Sequence, residues 1–89
     1  MLSAALADLN AAIAPAGTLA RVQEIWPRAA GAAVAAAAQP TAERNGVLTV
    51  TCSAAVWAQE LDLMGAQLIA RINDALGVEA ITEVRCRTG

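Results

Sequence analysis

Apolar positions recur along the chain with two different periods, and the switches between them divide it into helices and strands. Leu2, Leu6, Leu9 and Ile13 lie 4, 3 and 4 residues apart, a stripe that predicts a helix over residues 2–14. Pro15-Ala16-Gly17 breaks it, and Thr18 is placed to cap a second helix carrying Leu19, Val22, Ile25 and Trp26. Pro27 lacks an amide hydrogen and disfavours helical geometry before it, so a kink at Trp26, or a new helix with Pro27 in its first turn, is expected. Arg28 to Ala38 is almost all Ala around Gly31 and Val34, which predicts a closely packed helix, with Gly31 permitting close approach and Pro40 ending the run.

The period then falls to two. Thr41 to Arg44 is an edge-strand candidate, Asn45-Gly46 is a strong hairpin signal, and Val47 to Cys52 alternates with Leu48, Val50 and Cys52 on one face. Ser53 is placed to cap a long helix from about Ala54 to Leu76. Its stripe is Trp57, Leu61, Met64, Leu68, Ile72 and Leu76, and Gly77 supplies a left-handed stop. Ile81 to Arg87 predicts a last strand, with Thr82, Val84 and Cys86 on one face and Glu83, Arg85 and Arg87 on the other. The order is α-α(-α)-β-β-α-β. It is an α+β arrangement in which one long helix covers one face of a three-stranded sheet, with Ala-rich helices beside it.

Composition sharpens this. In 89 residues, 57% are apolar, yet 24 of the positions are Ala, and Phe and Tyr are absent. Ala buries little surface, so the core is thin and modest stability is expected for a single domain over residues 1–89. Six Arg against eight acidic residues give a net charge of −2, and Lys and His are missing. That balance disfavours sequence-independent nucleic-acid binding by the chain as a whole. Without His, Lys or Tyr, the usual general bases and the commonest zinc ligand are lacking, so neither catalytic nor metal-ligating residues nor a cofactor are expected. Cys52 and Cys86 match no metal or redox spacing and are expected to be free, buried apolar residues. No basic leader opens the chain. The longest uncharged Ala-rich run, residues 29–42, contains Pro40 and is too short to cross a bilayer, so no membrane association and a cytoplasmic location are expected.

Several motifs in order carry a family resemblance. They are Trp26-x4-Gly31, Pro40, Asn45-Gly46-x-Leu48-x-Val50, Ser53-x3-Trp57-Ala58-Gln59-Glu60-Leu61, Ile72-Asn73-x2-Leu76-Gly77 and Val84-x-Cys86-Arg87. Together, over roughly residues 18–88, they resemble the DciA-like domain. The most specific piece is Trp-Ala-Gln-Glu-Leu, which opens the long helix. The resemblance implies a fold similar to a type II KH domain and a role in bacterial DNA replication. It implies binding to the hexameric replicative helicase to help load or activate it, without ATPase activity, and often an affinity for DNA through a basic surface. This chain differs in its acidity, its lack of Lys and its lack of the GxxG loop by which KH domains grip nucleic acid.

Six residues are singled out. Trp57 and Trp26 each have two readings, a core anchor or a contact for a protein partner, since Trp is enriched at interface hot spots. Glu60 and Asp62, two residues apart, have two readings, an acid–base pair or dipole-stabilised helix carboxylates, and Glu60 is also a candidate for the same partner surface. Arg85 and Arg87 alternate onto the outer sheet face, near Arg44 at the hairpin. There they form either a solvated polar face or a small anion- or partner-binding patch. Three functions follow. The first is a non-catalytic docking module for the replicative helicase. The second is a KH-like nucleic-acid binder using Arg44, Arg85 and Arg87 on single-stranded DNA. The third is a small self-associating domain, monomer or weak homodimer.

Overall fold

A computed structural model describes residues 15–89, so the helix expected over 2–14 lies outside the described residues. The elements are α1 (Pro15–Ala30), α2 (Ala32–Ala37), β1 (Ala38–Arg44), β2 (Val47–Cys52), α3 (Ala55–Leu63), α4 (Gly65–Leu76) and β3 (Glu83–Thr88). The sheet order is β1-β2-β3, with β1 antiparallel and β3 parallel to the central β2. The helices pack on one face, which gives the expected α+β, KH-like arrangement.

Alternation in β2 turns Leu48, Val50 and Cys52 fully inward, where they meet Leu61, Leu68 and Ile72 of the helical stripe and Val22 and Trp26 of α1. Val84 and Cys86 are half-buried against this cluster, together with Trp57 and Leu76. The Asn45-Gly46 hairpin forms with both residues at positive φ (53° and 86°), as its sequence predicts. Gly46 is also sterically required. A Cβ there would come within 3.0 Å of Thr82 Oγ1 and 3.3 Å of the Ala80 carbonyl oxygen. Gly77 closes α4 in the left-handed conformation, φ 81°.

Several local expectations are corrected, and in most of them a larger structure overrides a local signal. Thr18 lies inside α1 and caps nothing, because the helix already runs from Pro15. Pro27 sits within the last turn of the same helix and starts no new one. Trp26 beside it is 1% exposed and donates its indole N–H to the Ala38 carbonyl (2.8 Å), and this anchorage holds the helix through the proline. The helix expected over 28–38 is divided by Gly31, whose φ of 93° ends helical geometry. A Cβ at Gly31 would meet nothing within 4 Å, so conformation and not close packing requires glycine there. Pro40 lies within β1 at an irregularity between Pro40 and Ala42, an edge position where its missing N–H costs no ladder bond. Finally, Ser53 makes no cap, since Ala54 occupies the N-cap position. The long helix is interrupted at Met64, and the last strand begins at Glu83.

The loop into β3 is tied down by one side chain. Asn73 Oδ1 accepts from the Ala80 and Ile81 amides (3.0 and 2.9 Å), and Asn73 Nδ2 donates to the Ile81 carbonyl (2.8 Å). Ile81 is thereby plugged into the core at 1% exposure. The Gly46 carbonyl then accepts from the Thr82 and Glu83 amides (2.8 and 3.2 Å), which starts the parallel pairing. Asn73→Ala is expected to lower unfolding free energy by about 2–3 kcal/mol, since three partly buried backbone groups lose their partner. Urea denaturation measures this, and a change within error of zero would show that the clamp is dispensable.

Candidate functional site

The crossover helices occupy one side of the sheet, so among the described residues the other side is left open. Along β2 its open-face residues are Val47, Thr49 and Thr51. Register sets Thr49 beside Arg85 and Thr51 beside Arg87 on β3, and Val47 beside Arg44 on β1. Arg44 and Arg85 line one shallow depression of about 440 Å³ with Ala42, Asn45, Val47 and Thr49. Arg87 continues the row along β3 outside that depression. The structure thus brings Arg44 and Arg85 together and sets Arg87 farther along the same face. Arg85 Nε pairs with Glu83 Oε2 at 2.9 Å, an exposed contact that leaves most of the guanidinium donors free. The Thr41 and Thr51 hydroxyls share a hydrogen bond of 2.8 Å and add neutral polar groups to the same surface.

Trp57 and Glu60 lie on the helical side, apart from the arginines. Trp57 is half-buried against the core cluster, and Glu60 is exposed. Trp26 is enclosed and hydrogen-bonded, so it is the core anchor of its two readings and offers no surface to a partner. Val56 (60% exposed) and Leu63 (85% exposed) flank Glu60 at four and three residues, on the outward side of α3. They escaped the sequence reading because they fall just off the Trp57–Leu61–Met64 stripe. An apolar residue next to a stripe but outside it was the available signal.

A second cleft, of about 670 Å³, lies between α4 and the following loop, with Ile69, Asn73, Asp74, Val78 and Glu79 in its walls. Its ionisable groups are acidic, and exposed Val78 just after the Gly77 stop was its only trace in the sequence. The interruption at Leu63-Met64-Gly65-Ala66 joins α3 to α4 through a single residue, with no glycine-rich loop. No helix among the described residues is long and apolar enough to cross a membrane.

Cys52 and Cys86 are free and face the helical layer from adjacent strands. Burial, and then the negative charge of Asp62, push both thiols up, with Cys86 reaching about 12. Neither is therefore an activated nucleophile. Because the thiols ionise less readily in the folded chain, their neutral forms stabilise it fully below the ordinary value of 9.0, and this contribution is lost as pH rises toward about 12. Stability is expected to fall across that alkaline window, and Cys86→Ser to flatten the fall. An unchanged slope in denaturation curves from pH 8 to about 11 would contradict this assignment.

The chain matches the family described as Dna[CI] antecedent, DciA, over residues 1–86. It is 42% identical over 60 residues to a UPF0232 protein of Mycobacterium marinum, covering 67% of this chain and 32% of that one. It is 38% identical over 65 residues to a UPF0232 protein of Mycobacterium leprae (73% and 34%), and 35% identical over 60 residues to one of Rhodococcus jostii (67% and 32%). The chain spans about a third of the length of the curated relatives it matches. It belongs to the DciA family.

Proposed function

For this member of the DciA family we propose a non-catalytic protein-interaction module that docks on the replicative helicase during bacterial DNA replication, in the cytoplasm. The observation that carries the reading is the outward side of α3, where Val56 and Leu63 expose apolar surface on either side of Glu60, beside half-buried Trp57. Apolar anchors around a charged residue, with an aromatic side chain at their border, form the composition expected of an interface centre. Both thiols are held protonated, so neither offers a nucleophile to a competing catalytic reading.

Calorimetry with the replicative helicase of the same bacterium tests the reading. Leu63→Asp is expected to weaken binding at least about tenfold, the loss of one anchor contact, while leaving the fold intact because Leu63 touches little of the core. Binding unaffected by Leu63→Asp and Val56→Asp together would remove α3 from the interface.

A second reading is favoured by Arg44, Arg85 and Arg87 sharing the open sheet face, along which single-stranded DNA would find three cations against one exposed carboxylate, Glu83. Three phosphate contacts give a slope of log affinity against log salt of about −2. Mobility-shift titrations are expected to follow that slope and to lose binding in Arg85→Glu. Absence of any shift at low salt would exclude the DNA role without touching the helicase role.

A further inference from the structure

The two edges of the sheet are finished differently. On β1, the outward Ala38 carbonyl is taken by Trp26 Nε1 (2.8 Å), the Pro40 carbonyl by Gln23 Nε2 (3.0 Å), and Pro40 has no N–H to offer. Over Ala38–Pro40 that edge is closed to further pairing. On β3, the Glu83 amide donates to Gly46 and the Gly89 amide to Cys52, so Glu83, Arg85 and Arg87 direct their backbone groups toward β2. By alternation, Val84, Cys86 and Thr88 direct theirs outward, and among the described residues no side chain or backbone group hydrogen-bonds to them.

We propose that the β3 edge is a strand-addition site for an extended acidic segment of a protein partner, which would become a fourth strand of the sheet. The outward backbone groups of Val84, Cys86 and Thr88 supply the ladder. Charge selects the guest. On the open face the strand carries Arg85 and Arg87, and its acidic member, Glu83, is already paired with Arg85. Guest carboxylates beside the two guanidiniums gain charge-assisted contacts. On the other face Val84 and Cys86 are only half-buried, so alternate guest positions meet apolar side chains. The guest is therefore an alternating acidic and apolar strand. A second copy of the chain fits less well. The antiparallel self-pairing centred on Cys86 sets Arg85 against Arg87 twice, and like charges directly opposite are destabilising. The one centred on Arg85 sets that arginine against its own copy and gains its two Glu83–Arg87 pairs only in competition with the existing Glu83–Arg85 contact.

The test uses the full chain and a synthetic eight-residue peptide of alternating Glu and Val, followed by calorimetry and amide hydrogen exchange. Binding is expected to slow exchange at Val84, Cys86 and Thr88 while leaving Arg85, whose amide is already paired, unchanged. The Lys-for-Glu peptide, and an acidic peptide N-methylated at alternate residues, are each expected to bind at least about tenfold more weakly. Thr88→Pro, which removes one outward N–H at an exposed position, is expected to weaken the acidic peptide similarly. Equal affinity of the basic or N-methylated peptide, or no binding of the acidic one, overturns the proposal. So does a dimer in light scattering that Thr88→Pro dissociates, because the edge would then be occupied by a second copy.

Discussion

The parallel pairing of β3 with β2 is the constraint from which the rest of this molecule follows. A tight turn joins antiparallel strands, but a parallel neighbour must be reached by a crossover. Residues 53–82 make that crossover, and α3 and α4 within it have to lie on one side of the sheet. Covering one side strips the other of helices. The pairing itself depends on a few bonds: the Asn73 amide group holds the Ala80–Ile81 backbone, and the Gly46 carbonyl receives the Thr82 and Glu83 amides. Gly46 therefore serves the hairpin and the crossover together, and a side chain there would strain both.

The same constraint sorts the charges. A chain of net charge −2 carries a mostly basic surface because half of its six arginines fall on the open face, while Glu60, Asp62, Asp74 and Glu79 are spread over the helical side and its loop. Net charge alone argues against nucleic-acid contact, whereas the local field depends on which strand positions point outward. The thin core has a comparable remedy. One large aromatic side chain, Trp26, fills space that many Ala residues leave, and it spends its polar atom on the β1 edge.

Much of this was legible in the residues. Asn45-Gly46 admits few alternatives to a hairpin, alternation fixed the faces of β2 and β3, and Leu61, Leu68 and Ile72 are buried where the helical period put them. The misplacements share a cause. Thr18 and Ser53 have capping side chains, Pro27 and Pro40 have breaking ones, and each preference amounts to about 1–3 kcal/mol. Trp26 alone, fully buried and hydrogen-bonded, outweighs Pro27, since losing such a side chain costs about 3–5 kcal/mol. The interruption at Met64 was hidden for another reason. The stripe continues across it, so the apolar period carries no mark of a break, and only Gly65 hinted at one.

The candidate surfaces were half legible for a related reason. Arg44, Arg85 and Arg87 were placed by alternation, which needs only the knowledge of which face is covered. The α3 surface was harder to see, because Val56 and Leu63 become conspicuous only once Leu61 is known to point inward. The β3 edge is invisible to any pattern of side chains, because it is a property of backbone direction and strand order. Whether a terminal strand is an edge depends on where the other strands go: the two-residue Asn45-Gly46 turn holds β1 beside β2, so among the described residues β3, on the other flank of β2, has a strand neighbour on one side alone. Gln23 and Trp26 set the opposite edge apart from it, because their polar atoms are spent on β1 carbonyls that a further strand would otherwise pair with.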